Sequence, residues 1–253
     1  TENEKYLEGF KMIYANMITT LKNIGVEEID CLHKPFDPKY MEAVLTEEII
    51  EEGLINLKAN EDIVIEKRDE EKWVYLYSFY KTENEIAERI IKLKNTKNVK
   101  KISNIEKELK KVEERTDMIL SEKQKEAIRT INDNNVTIIT GGPGTGKTTI
   151  IKSIIEIYKQ KKYKIVLCAP TGRAAKRMTE TTGEEAQTLH RLLEIGKVDD
   201  DVFYKKDEDF EGAPIDADII IVDEMSMVDM FVMNYLLKCI YQGTKLILVG
   251  DVD

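Results

Sequence analysis

The octapeptide Gly141-Gly142-Pro143-Gly144-Thr145-Gly146-Lys147-Thr148 constrains this chain more than any other feature. It fits the spacing G-x-x-x-x-G-K-S/T. The apolar stretch Val136–Thr140 precedes it, and Thr149–Tyr158 follows with a helical pattern. Strand, loop and helix in that order form the setting in which such a loop closes round phosphate. Its glycines let the backbone curl so that N–H groups point inward. The helix adds free N–H groups and the positive end of its dipole. Gly142, Pro143, Gly144, Thr145, Gly146, Lys147, Thr148 and Thr149 are therefore the candidate phosphate-binding residues. Lys147 has the reach to touch β- and γ-phosphates, and the Thr148 hydroxyl suits Mg²⁺.

A second element completes the chemistry. Asp218-Ile219-Ile220-Ile221-Val222 reads as an apolar strand ending in Asp223-Glu224. In a parallel sheet the carboxyl ends of the strands share the edge where ligands bind. Asp223 then suits Mg²⁺, and Glu224 suits orienting and polarising a water. Lys147, Asp223 and Glu224 are the candidate catalytic residues, and Thr148 and Asp223 the candidate metal ligands. The pattern points to nucleoside triphosphate hydrolysis. The chain carries no guanine-reading N-K-x-D sequence, so ATP is the expected nucleotide.

Four short apolar runs, Val136–Thr140, Lys164–Ala169, Asp218–Val222 and Lys245–Val249, alternate with helical patterns. Such runs are read as strands buried on both faces. The expected fold class is α/β: a RecA-like P-loop parallel sheet with helices on both faces, spanning residues 116–253. A mostly helical N-terminal region with a small β-hairpin is expected before it. Its elements are helices at 5–22, 41–58 (weakened at Gly53), 83–94 and 101–112, with strands at Asp62–Glu66 and Trp73–Tyr77. Residues 1–46 and 47–115 form its two segments, the second with a helix–helix–hairpin order that suits a winged-helix-like module. Lysines crowd positions 92–111, which reads as a solvated helix surface, with a DNA-facing patch as the alternative. The acidic stretch 197–214 reads as a surface insertion.

Composition narrows the class. With 42% hydrophobic and 34% charged residues in 253, the chain reads as soluble and globular. No apolar run reaches the ~18 residues of a membrane span, and no secretory signal opens it. Cys31, Cys168 and Cys239 lack disulfide or zinc spacing, so buried thiols and a cytoplasmic location are expected. A formal net charge of -10 argues against a broadly basic surface, but permits a local basic groove for a single strand. The start at Thr1 and the stop just after an apolar strand suggest a fragment.

Further segments resemble motifs of the RecD-like branch of superfamily-1 DNA helicases. Leu120–Ile128 resembles their Q motif, which implies that Gln124 reads adenine; a glutamine amide can both donate and accept there. Ala169–Met178 resembles motif Ia, implying that Pro170, Thr171, Gly172 and Arg173 meet single-stranded DNA, with Lys176 and Arg177 adding charge. Thr188–Leu193 resembles the next DNA-contacting motif, which adds Thr188 and His190. Asp223-Glu224-Met225-Ser226-Met227 matches the string typical of this branch. Gly250-Asp251-Val252-Asp253 resembles the opening of motif III, implying that Gly250 and Asp251 couple nucleotide to DNA. The resemblance runs from about Glu47 to Asp253.

It implies an ATP-dependent helicase of 5′→3′ polarity with ATP and Mg²⁺ as cofactors. Such helicases place ATP between two RecA-like domains, and an arginine supplied in trans is worth ~10³-fold or more in phosphoryl transfer. The isolated chain is therefore expected to hydrolyse ATP weakly and not to unwind a duplex. Residues 5–46 resemble the C-terminal part of GrpE, through Glu4–Ile13, Leu21–Ile29, Phe36-Asp37-Pro38 and Glu42-Ala43-Val44. Met41 stands where that family usually has His. This likeness implies a DnaK-type chaperone as a partner. A P-loop ATPase acting on something other than DNA is the further alternative.

Overall fold

The computed structural model describes residue 19 and residues 47–69, 71–97, 100–117, 119–195 and 212–251. Apart from Thr19, the helix expected at 5–22 and the GrpE-like segment 5–46 lie outside the described residues, as does most of the acidic insertion. The chain divides into two compact units, Thr1–Asn60 and Glu61–Asp253. In the first, the described residues form helix α1, Glu47–Ala59, which runs through Gly53 without a break.

The second unit opens with an antiparallel hairpin of β1, Ile63–Arg68, and β2, Glu71–Leu76. Its pairing runs on to Arg68↔Glu71, past the strand end expected at Glu66. The charged residues there have partners: Arg68 meets the Glu66 carboxylate at 2.7 Å and lies over the Tyr75 ring. Helix α2, Tyr77–Lys94, starts a turn and a half before the expected position. Its first turn is anchored by Tyr80, whose hydroxyl donates to Glu66 at 2.7 Å. Helix α3, Ile105–Thr116, begins one turn late because Asn104 caps it, accepting from the Lys107 N–H.

Helix α4, Glu122–Asp133, begins with a reciprocal cap. The Ser121 hydroxyl accepts from the Gln124 N–H, and the Gln124 side-chain oxygen accepts from the Ser121 N–H at 2.9 Å. The Ser-x-x-Gln spacing encodes such a cap.

Then the sheet forms. Strand β3, Val136–Thr140, leads through the glycine loop into helix α5, Lys147–Lys159. Strand β4, Ile165–Ala169, leads into helix α6, Gly172–Thr182, and the short strand β5, Ala186–Thr188, into the one-turn helix α7, Leu189–Leu192. Strand β6, Ile219–Val222, is followed by a 3₁₀ turn at Met225–Met227, helix α8, Met230–Cys239, and strand β7, Lys245–Gly250. All pairings are parallel, in the order β3-β7-β6-β4-β5.

Side-chain alternation explains why the central strands are apolar throughout. Ile219 and Ile221 of β6, with Ile247 and Val249 of β7, pack on one face with α3, α4 and α5. Ile220, Val222, Leu246 and Leu248 pack on the other with α2 and α8. A strand covered on both sides has no position left for water-facing residues. The helices on both faces agree with the expected fold class.

One polar residue breaks the pattern. Lys245, at the start of β7, is fully buried, and its ammonium donates to the Ile131, Asn132 and Asn134 carbonyls at the end of α4. Those carbonyls have no partner within their helix, so a buried cation caps them. Cys168 and Cys239 are buried free thiols; Cys31 lies outside the described residues. In the lysine-rich stretch, Lys92, Lys100, Lys101 and Lys111 pair with Glu88, Asp218, Asp133 and Glu108.

Candidate active site

Strands β3, β4, β6 and β7 all run the same way, so Thr140, Ala169, Val222 and Gly250 end at one edge. The loop after β3 curls there. Gly144 and Gly146 hold φ of +74° and +89°, a region that disfavours any side chain with a Cβ. Space reinforces the requirement at Gly146: a Cβ would collide with the Gln124 amide nitrogen. The residue flagged by the Q-motif resemblance thus reaches the phosphate loop itself. Its amide oxygen is engaged in the α4 cap, and the amide nitrogen faces Gly146.

A cavity of about 330 Å³ opens at this edge. Gly142, Pro143, Gly144, Thr145, Gly146, Lys147 and Thr148 line one part of it; Asp223, Glu224 and Asp251 line another. Gln124 and Thr149 are not among the lining residues. The Lys147 ammonium donates to the carbonyls of Gly141 and Gly142 and pairs with Asp251 at 2.5 Å. Asp223 is partly buried. Burial raises its carboxyl above the usual carboxylate range, against the Glu224 N–H bond and the nearby Arg177 and Lys147 charges. Glu224 sits at φ +55°, a left-handed position for a residue with a side chain. It initiates the Met225–Met227 turn, which packs against Gly250: a Cβ there would lie 3.4 Å from the Ser226 nitrogen.

The chemistry of the donor set suits a divalent cation that arrives with its ligand. Among the described residues no group of three His, Cys, Asp or Glu could hold a metal. Mg²⁺ is commonly held by one or two carboxylates plus substrate phosphates and water, rather than by a protein cage. Thr148 and Asp223 supply a hydroxyl and a carboxylate in the one cavity.

The residues expected to meet DNA lie elsewhere on this edge. Pairing of Ala169 with Thr188 sets Pro170–Arg173 beside Thr188–His190. Thr171 caps α6 through the Ala174 N–H, and Thr188 caps α7 through the Arg191 N–H. Gly172, Arg173 and His190 are exposed. None of them lines the cavity. Arg177, expected to add charge beside the DNA-contacting residues, lines the cavity together with Met178 and Thr181. The helical spacing of 177, 178 and 181 was the available signal.

A glycine loop and an Asp-Glu pair meeting at the carboxyl edge of a parallel sheet define the class of P-loop nucleotide-binding domains. The chain belongs to the AAA domain family, whose model matches residues 124–253. The GrpE family model matches residues 1–54. RecBCD enzyme subunit RecD of Buchnera aphidicola is 36% identical over 200 residues, covering 71% of this chain and 32% of that protein. The ATP-dependent RecD2 DNA helicase of Deinococcus radiodurans is 39% identical over 134 residues, covering 53% of this chain and 18% of that one. This chain therefore spans a third or less of these curated relatives. A crystal structure of Bacteroides Pif1 bound to ssDNA aligns over 53% of this chain and 32% of its own, at 25% identity and a TM-score of 0.39. Among the described residues no helix is long and apolar enough to cross a membrane.

Proposed function

We propose that this chain is the nucleotide-binding part of a cytoplasmic ATP-dependent DNA helicase of the RecD-like kind, moving 5′→3′. The observation that carries the reading is the convergence of Gly142–Thr148, Asp223, Glu224 and Asp251 on one cavity at the carboxyl edge of the sheet. The loop N–H groups and the start of α5 hold the phosphates of ATP. Lys147 exchanges its present carbonyl and Asp251 partners for phosphate oxygens. Thr148 and Asp223 would hold Mg²⁺, which would offset negative charge on the phosphates. Glu224 orients and polarises the attacking water. Gln124 and Thr149 act from beside the cavity, Gln124 on the adenine. Pro170, Thr171, Gly172, Arg173, Thr188 and His190 hold single-stranded DNA. Gly250 and Asp251 couple this site to the DNA; on the nucleotide side Asp251 pairs with Lys147 and Gly250 packs on the turn that follows Glu224.

In this reading residues 47–115 are the N-terminal helicase region and 116–253 the RecA-like domain. The GrpE family match supports a second role for residues 1–46, contact with a DnaK-type chaperone. ATP hydrolysis by the 253-residue chain, measured with and without oligo-dT, tests the main reading. Slow hydrolysis that rises with oligo-dT and vanishes in Lys147→Ala is expected. Hydrolysis indifferent to oligo-dT would favour an ATPase acting on something other than DNA. Retention of a DnaK-type chaperone on the immobilised chain tests the second role; absence of binding removes it.

A further inference from the structure

Arg177 stands one helical turn beyond Arg173 on α6 and lines the phosphate cavity. Its Nη1 lies 3.8 Å from a Glu224 carboxylate oxygen. The side chain is 75% exposed, so that ion pair does little for the fold. The electrostatics of the cavity give it a different purpose. Three carboxylates, Asp223, Glu224 and Asp251, line the cavity against two cations, Lys147 and Arg177. Asp251 already engages Lys147. Without Arg177, one cation would face three carboxylates in a cavity that must accept a polyanion. A planar guanidinium is also the side chain best matched to phosphate oxygens.

We propose that Arg177 is a nucleotide-site residue that holds Glu224 and contacts the terminal phosphate of a bound triphosphate, so that it favours triphosphate over diphosphate. The inference rests on the nucleotide reading above. It moves Arg177 from the nucleic-acid surface, where the motif Ia resemblance has it adding charge, to the nucleotide site.

Equilibrium binding separates these possibilities without relying on turnover. Affinities for a non-hydrolysable ATP analogue and for ADP, both with Mg²⁺, are measured for the wild type, Arg177→Gln and Arg177→Lys. Lys152→Gln, an exposed change on α5, controls for net charge, and oligo-dT binding is measured in parallel. Arg177→Gln is expected to weaken the triphosphate analogue about tenfold, near 1.4 kcal/mol. ADP and oligo-dT binding should change less than about twofold, well inside that tenfold interval. Arg177→Lys should recover part of the loss. Equal weakening of both nucleotides, or of neither, overturns the proposal. Loss of oligo-dT binding with nucleotide binding intact does so too, and returns Arg177 to the DNA surface. If the wild type binds neither nucleotide, the underlying reading falls with it; if only the variant comparison fails, that reading stands.

Discussion

Replacing Gly146 with alanine tests how the phosphate loop and the helix before it lock together. Gly146 sits at φ +89° and begins α5. A Cβ in the left-handed region costs roughly 1–2 kcal/mol. The same Cβ would displace the Gln124 amide, whose oxygen caps α4 through the Ser121 N–H. The glutamine side chain is flexible and can swing away, so the added penalty is the lost cap bond, about 0.5–1 kcal/mol. Gly146→Ala should therefore destabilise the chain by roughly 1.5–3 kcal/mol. The assay is urea unfolding followed by far-ultraviolet circular dichroism. It is run on the wild type, Gly146→Ala, Gln124→Ala and the double variant. In the Gln124→Ala background only the backbone cost remains, so the alanine should cost about 0.5–1 kcal/mol less there. A cost below about 0.5 kcal/mol in the wild type, or an equal cost in both backgrounds, would refute the reasoning.

Three other perturbations have outcomes fixed by the structure. Burial pulls the Lys245 ammonium down to about 8, from 10.5 when unfolded. Between those values the unfolded chain binds one more proton, so wild-type stability should rise with pH relative to Lys245→Met across that window. Matched slopes in urea midpoints from pH 7 to 10 would contradict it. Asn132→Ala removes the side chain that accepts from the Ile102 N–H at 2.8 Å and the Tyr158 hydroxyl at 3.1 Å. Buried donors are left without it, so a loss of roughly 2–4 kcal/mol in urea unfolding is expected. Asp251→Asn releases Lys147 from its carboxylate partner. A pair of this kind is worth at most about 1 kcal/mol, so Mg-ATP should bind roughly two- to fivefold tighter by fluorescence titration. Weaker binding would show that Asp251 assists the nucleotide directly.

The sequence by itself determined what rests on local geometry and periodicity. Glycines that must take positive φ, an apolar strand before them and a helix after them were written in adjacent residues. The doubly buried strands were legible because every position of Ile219–Val222 and Leu246–Val249 is apolar. The Asp223-Glu224 pair was legible because it ends such a strand. Element ends were less so: α2 begins at Tyr77 because Tyr80 reaches Glu66, and β1 runs on because Arg68 finds Glu66 and Tyr75. Tyr80 on Glu66 and Arg68 on Tyr75 are contacts between elements, which the periodicity of either element alone does not show.

The same reason governs the site. That Lys147 meets Asp251, that Gln124 closes on Gly146, and that Lys245 caps α4 are facts about residues far apart in the chain. Only the order β3-β7-β6-β4 brings them together. Arg177 shows the limit most plainly. Helical spacing gave its face, but that this face lines the cavity was decided by how α6 packs against β4 and β5.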